Sequence, residues 1–258
     1  MSKCASQPDP VSDPSDRLAG KRLLVTGASS GIGESIARMA LARGAAVAGL
    51  ARRADRLDAI DEMTAMAADV RDPRAAGAAV ESAIDSLGGL DVLVNAAGIN
   101  RPGLITDTGP EDWEAVFSTN VLGLLAVTKA AMPALRAGVE PSVVNISSNA
   151  GHGVVSPENG VYAASKSAVV FLSDSLRKEL AGEVRVIEVA PGYVQDTEIH
   201  RDYDGPHRAE ADERQRIHGM QLDHFAQLVL DLVAQPADVQ VQSVLVTKTG
   251  YVAKPYGT

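Results

Sequence analysis

The chain is poor in cysteine, in aromatic residues and in positive charge. Its only cysteine is Cys4, so no internal disulfide can form, and a cytoplasmic location is the default expectation. Cys4 also lies in a tail rather than near any cleft-forming pattern, which argues against a catalytic thiol. Aromatic residues make up 3% of the chain, so the core must be built mainly from Ala, Val, Leu and Ile. The net charge of −9 comes without a basic stripe, which argues against nucleic acid and against an anionic membrane surface. No apolar run reads as membrane-spanning, no signal-peptide core follows Met1, and no internal repeat is visible. The histidines are too scattered for a metal site of known spacing, so no metal is expected.

What the chain has is an alternation. With 258 residues, 45% of them hydrophobic, it is long enough for one α/β domain with a sizeable core. Strand-like runs are Leu23–Val25, Ala46–Leu50, Met63–Ala68, Asp91–Val94, Ser142–Ser147, Val184–Val189 and Ser243–Thr247. Between them fall helical patterns at about Glu34–Arg43, Pro73–Leu87, Glu111–Phe117, Asn120–Arg136, Tyr162–Leu180 and Asp223–Ala234. Alternating β and α predicts a doubly wound parallel sheet of about seven strands with helices on both faces. Residues 1 to about 17, rich in Ser, Asp and Pro, read as a disordered extension, and 18–258 as a single domain. One segment breaks the rhythm: 193–221 is polar, irregular and long, and reads as a lid.

Two patterns carry chemistry. Tyr162 and Lys166 lie four apart on a predicted helix and so share a face. An ammonium beside a phenol favours phenolate, lowering the tyrosine pKa toward working pH, and the nearby Ser147-Ser148 offers a hydroxyl for a substrate oxygen. Upstream, the strand Leu23–Val25 leads into Thr26-Gly27-Ala28-Ser29-Ser30-Gly31-Ile32-Gly33 and then a helix. Glycines there let backbone approach a pyrophosphate, which the helix N-terminus attracts.

Together these segments resemble the short-chain dehydrogenases/reductases. Thr26 to Gly33 is similar to that family's TGxxxGxG loop, and Asn95-Ala96-Ala97-Gly98 to its NAAG segment. Asn120 matches its helix asparagine, Ser147-Ser148 its strand-end serine, Tyr162 and Lys166 its YxxxK, and Pro191-Gly192 its PG turn. The resemblance runs from about Leu18 to Thr247. It implies a single Rossmann domain and hydride transfer with a nicotinamide cofactor. Tyr162 is then the general acid/base, and Lys166 lowers its pKa and binds the nicotinamide ribose. Ser148 polarises the substrate oxygen, chosen over Ser147 because the family's active serine is the second of the pair and because alternation sends the two to opposite faces. Asn120 holds a water in the proton relay.

The implied cofactor contacts are Gly27, Ser29, Ser30, Gly31, Ile32, Gly33, Arg52, Arg53, Asp69, Val70, Asn95, Ala96, Ala97, Gly98, Tyr162, Lys166, Pro191, Gly192, Val194 and Thr197. The second strand ends Leu50-Ala51-Arg52-Arg53, with no acid for a ribose diol and two arginines for a 2′-phosphate, which predicts NADP(H). Asp69 is read as an acceptor for the adenine amino group or a cap before Pro73. The family usually has threonine where Asp196 stands. Thr197 serves instead if the loop bulges; otherwise Asp196 accepts from the nicotinamide amide, or the contact is lost. The Ser148–Tyr162 separation is one residue longer than the commonest in the family.

Asn149, His152, Val154, Val155, Asn159 and Tyr193 flank the catalytic groups and are read as substrate pocket. The lid holds His200, Arg201, Arg208, Arg214, Arg216 and His218; it reads as a solvated, charge-mixed segment, or as one presenting an arginine or histidine to a carboxylate or polar substrate. The C-terminal part resembles the branch with NADP-dependent 3-hydroxy-acid dehydrogenases and small-aldehyde reductases. The expected partners are a small polar alcohol or carbonyl substrate and further copies of the chain, as tetramer or dimer through the two long helices. Two other readings are a non-catalytic NADP-binding sensor, and an imine reductase or epimerase using the same site.

Overall fold

A computed structural model describes residues 17–153 and 156–251. The extension read at the N-terminus and the pocket positions Val154 and Val155 lie outside the described residues. Seven strands, β1 (Arg22–Thr26), β2 (Ala46–Ala51), β3 (Thr64–Ala67), β4 (Val92–Asn95), β5 (Ser142–Ile146), β6 (Arg185–Pro191) and β7 (Ser243–Val246), form one sheet in the order β3-β2-β1-β4-β5-β6-β7. Every neighbouring pair is parallel. The order reverses between β1 and β4, and such a switch point opens a crevice beyond the carboxyl ends of the strands.

β1, β4, β5 and β6 are buried almost throughout because helices cover both faces. Alternate residues face opposite layers. Leu23, Val25, Val92 and Val94 join Ile36, Ala37 and Ala40 of α1 (Gly31–Ala42) and Phe225, Val229 and Leu230 of α8 (Leu222–Val233). On the other face Leu24, Leu93 and Val143 join Ala76, Val80 and Ala83 of α3 (Pro73–Leu87) and Val127, Ala131 and Leu135 of α5 (Leu124–Arg136). The small alanines set helices close to the sheet, as the low aromatic content requires.

Local chemistry fixes the ends. Asp72 caps α3, accepting from the backbone N–H of Arg74 and Ala75, with Pro73 at the first helical position; Gly88, at φ 70°, closes the helix in the left-handed region. A short helix, α2 (Ala54–Asp58), follows β2; its one turn is too brief for a periodic signal in the sequence. α4 (Pro110–Phe117) runs into α5 through a π turn, Ser118–Gly123, making one continuous helix from Pro110 to Arg136. That helix is by length and composition apolar enough to cross a membrane. Half of its most apolar window is buried, and it packs on α3, β4 and α6 (Gly160–Glu179), as a core helix does.

The segment read as irregular is only partly so. It contains α7 (Arg208–His218), a helix with hardly any buried face. Its turns are laced by Arg208–Asp212, Arg214–Glu210 and Arg216–Glu213 pairs at i,i+3 and i,i+4 spacing. A helix without an apolar stripe gives no hydrophobic period to read. Trp113 is half-exposed on α4 and donates from Nε1 to Thr108 Oγ1 at 2.9 Å.

Candidate active site

The loops after β1, β2, β4, β5 and β6 surround a cavity of about 840 Å3 at the carboxyl edge of the sheet. Its size suits a small-molecule ligand. One end is walled by Leu50, Arg52, Arg53, Asp69 and Val70; the other by Ser148, Asn149, Asn159, Tyr162 and Tyr193. Between them lie Gly27, Ser29 to Gly33, Ala96, Ala97, Gly98, Pro191, Gly192, Val194 and Thr197.

The two loops at the switch point are bound together. Thr26 Oγ1 accepts from the N–H of Ala96 and of Ala97, each at 3.1 Å. Gly27 has φ 70°, and a Cβ on it would stand 2.9 Å from Ala97 Cα, so only glycine lets the loops close. Ser30 is the N-cap of α1 but its side chain makes no cap bond; its hydroxyl accepts from Arg53 Nη2 at 2.8 Å. The first-turn N–H groups of α1 therefore stay available beside the cavity, where helix geometry favours an anion. Arg53 Nε also donates to Ser29 Oγ at 3.2 Å. Close-packed glycines, an uncapped helix start and two guanidinium groups fit a phosphorylated dinucleotide.

At the other end, α6 places Tyr162 and Lys166 on one face, with Lys166 Nζ 5.8 Å from the Tyr162 ring centre. Lys166 is buried and donates to Ile146 O at 2.8 Å. Burial pushes Lys166 down to about 8, partly offset by the Glu188 carboxylate. Burial pushes Tyr162 up to about 12, a rise that its hydrogen bond with Ser148 reduces. The expected lowering of the Tyr162 pKa by Lys166 is thus reversed in the free protein: desolvation of the phenolate is the larger effect. Alternation separates the two serines. Ser148 meets Tyr162, whereas Ser147 donates to the buried Glu188. Two single 3-10 turns, Asn149–His152 and Pro157–Asn159, lie between Ser148 and Tyr162, where one extra residue is easily accommodated.

Three expected site residues do not line the cavity. Asn95 is buried and donates to Thr128 Oγ1 and Asn145 Oδ1 at 3.0 and 2.9 Å, tying β4 to α5 and β5. His152 sits 3.2 Å from Glu188 Oε1 rather than in the substrate end. Asn120 lies in the π turn, and its side chain is spent largely on protein: Oδ1 accepts from Ile99 N, and Nδ2 donates to Ile99 O and Ser165 Oγ. A Cβ on Gly98 would nevertheless stand 3.4 Å from both Asn120 Oδ1 and Lys166 Nζ, so glycine keeps these two groups in reach of a common point.

At the PG turn Asp196 and Thr197 point apart. Asp196 adopts φ 56° and is exposed, while Thr197 turns into the cavity beside Gly31. Aspartate tolerates this left-handed conformation better than most residues, and the turn advances the chain by one position. Asp69 is gripped by Arg71, which donates to both of its carboxylate oxygens, and that pairing lowers its pKa against the opposing effect of burial.

The substrate end gathers Arg214 and His218 of the lid together with two residues the sequence did not single out, Lys248 and Tyr251. Tyr251 stacks edge-on to Tyr193, with centroids 5.9 Å apart, and His218 lies 5.1 Å from Tyr251. Lys248 lines the same wall, after β7. Arg214 of α7 faces the cavity beside Tyr193 and stands 3.6 Å from Glu158 Oε2. No spacing rule links residues 214, 248 and 251 to residue 162; only the sheet brings them together. Among the described residues no cluster of metal-binding side chains occurs.

The family model for short chain dehydrogenases matches residues 21–206. An uncharacterized oxidoreductase of Staphylococcus haemolyticus is 33% identical over 236 residues, 89% of this chain and 97% of its own length. Among solved structures, an alcohol dehydrogenase from the archaeon Thermococcus sibiricus, complexed with 5-hydroxy-NADP, superposes with TM-score 0.80 at 26% identity, covering 91% of this chain and 99% of its own. A closed form of serine dehydrogenase complexed with NADP+ superposes with TM-score 0.82 at 28% identity, covering 92% and 98%.

Proposed function

The chain belongs to the short-chain dehydrogenase/reductase family, and we propose that within it the protein is an NADP(H)-dependent oxidoreductase acting on a small polar alcohol or carbonyl compound. The observation that carries this reading is a single cavity with Ser148, Tyr162 and Lys166 at one end and Arg52 and Arg53 at the other. When bound, the nicotinamide supplies the carbon that donates or accepts hydride. Ser148 orients the substrate oxygen by hydrogen bonding. Tyr162 gives that oxygen a proton in reduction and takes it back in oxidation. Lys166 carries the positive charge that makes phenolate accessible in the assembled site, and it returns a proton toward Asn120 and solvent. Thr197 is the hydroxyl available to the nicotinamide carboxamide.

The absence of an acid at the end of β2, where Arg52 and Arg53 follow Ala51, supports NADP over NAD, as do the NADP complexes among the structural relatives. Arg214, set beside Tyr193, supports a substrate with a carboxylate or other polar group near its carbinol carbon. Exposed Phe117, Leu122 and Phe171 on α4, the π turn and α6 support a homo-oligomer through the long helices, which light scattering after gel filtration tests.

The direct test is NADPH fluorescence on mixing with protein, followed by turnover against a panel of small carbonyl acids, aldehydes and ketones. Binding and Tyr162-dependent turnover are expected. NADPH binding with no turnover across the panel, unaffected by Tyr162→Phe, would establish a sensor instead. Arg52→Ala should weaken NADPH far more than NADH; equal loss of both would overturn the cofactor assignment.

A further inference from the structure

The arginines after β2 are not free. Arg52 Nη2 donates to Asp202 Oδ2 at 2.6 Å, and Arg53 Nη1 to Glu198 Oε2 at 2.7 Å. Both acids come from the stretch between Thr197 and α7, some 150 residues away in sequence. Arg201 stands 3.6 Å from Glu198 and 3.8 Å from Asp202, and Arg56 is 4.0 Å from Glu198. Asp69 and Arg71 complete the cluster beside them, and Arg71 also acts on Asp202. The cavity wall at this end thus holds carboxylates of the lid against the guanidinium groups of the nucleotide site.

We propose that Glu198 and Asp202 are internal counter-ions of the 2′-phosphate subsite, displaced when that phosphate binds, and so set the margin by which NADP(H) is preferred over NAD(H). This rests on the NADP reading above.

Three physical points support it. First, the pairs are displaceable. The four side chains are between 20% and 46% exposed, and ion pairs in that range contribute little to stability. Second, a phosphate monoester outcompetes them. It carries up to two charges and three acceptor oxygens, and it can engage two guanidinium forks at once. Third, the charges match. Arg52, Arg53, Arg56, Arg71 and Arg201 outnumber Asp69, Glu198 and Asp202, so the cluster is net positive and attracts an anion even before the acids give way. Displacement would also reach the catalytic end, because Glu198 follows Thr197 directly and Asp202 follows His200, which is anchored on Asp212 of α7 at 2.9 Å.

The test compares wild type with the double variant Glu198→Gln/Asp202→Asn, using cofactor-free protein and calorimetric titration. The probes are adenosine 2′,5′-bisphosphate and 5′-AMP, which differ by the 2′-phosphate alone. The double variant should bind the bisphosphate about three- to tenfold more tightly, with 5′-AMP unchanged. Unchanged bisphosphate affinity, or an equal gain for both probes, would overturn the counter-ion role. Arg52→Ala and Arg53→Ala are measured alongside. If both leave the bisphosphate affinity as in wild type, the NADP reading itself falls and the counter-ion role with it. If they weaken it while the acid variants do nothing, only the counter-ion role falls.

Discussion

Desolvation at the wall of the cavity moves the pKa values of both Tyr162 and Lys166 toward the neutral forms. In the free protein the phenol is held up at about 12 and the ammonium down at about 8. A phenol that keeps its proton is ready for reduction, where it must give one up. Lys166 is cationic below about pH 8, so kcat/KM for carbonyl reduction should fall as pH rises through that value, while oxidation gains. A flat profile from pH 6 to 10 would contradict this. The stability of the free protein follows from the same shifts. Lys166 titrates lower in the folded chain than its ordinary 10.5, so the unfolded chain binds the extra proton between about 8 and 10.5, and Lys166 makes stability rise with pH across that window. Tyr162 has the opposite sign from about 10 to 12, where the folded chain holds the proton longer. Lys166→Met should remove the rise between pH 8 and 10, measured by urea denaturation of the cofactor-free protein. Tyr162→Phe should lower kcat by at least about 100-fold with NADPH affinity retained, since it removes a proton donor and little volume.

At the level of elements, the glycine turns and the PG loop matter most. A methyl group on Gly27 would meet Ala97 backbone at 2.9 Å in a left-handed conformation, so Gly27→Ala should separate the β1 and β4 loops. The expected cost is about 2 kcal/mol or more, seen as a lowered Tm, with NADPH affinity reduced as well. Asp196→Gly should be neutral or stabilising, and Asp196→Val should cost about 1–2 kcal/mol and misplace Thr197, because a branched side chain resists φ 56°. These elements also show what sequence can convey. The strand and helix runs were legible because each carries its own period, and the glycine loop because its chemistry is local. α7 was not, since its polar turns are held by ion pairs rather than an apolar stripe. Nor was the fate of His152 and Asn95, which lie within two residues of Ala150 and Ala96 on the cavity wall while their own side chains turn to Glu188, Thr128 and Asn145. Which way a loop or strand-end residue faces depends on packing that no spacing encodes.

At the scale of the whole molecule, Asp91 joins segments far apart in the chain. It accepts from the N–H, Nε and Nη2 of Arg22 at the start of β1, and from the N–H of Val139 before β5. Burial would raise its pKa, but these donors hold it down at about 2. A depressed carboxylate stabilises the fold above its ordinary 3.8, and that stability is lost as pH falls from there through about 2. Asp91→Asn should therefore cost about 2–4 kcal/mol at neutral pH and flatten the acid limb of a Tm-versus-pH curve. The parallel sheet and its switch point were legible at this scale from the βα alternation alone. On the far wall of the cavity, Arg214 was legible only as one of several lid arginines, and Lys248 and Tyr251 were not legible at all, because the sheet order assembles that wall from separate segments.

The lone tryptophan has a spectroscopic consequence. Trp113 is half-exposed and hydrogen-bonded at its indole nitrogen, so native emission should already be red-shifted, and unfolding should shift it only slightly. Far-ultraviolet circular dichroism is the better reporter of unfolding for this protein. The same poverty of aromatics leaves Trp113 as the one tryptophan donor in each chain for energy transfer to bound NADPH.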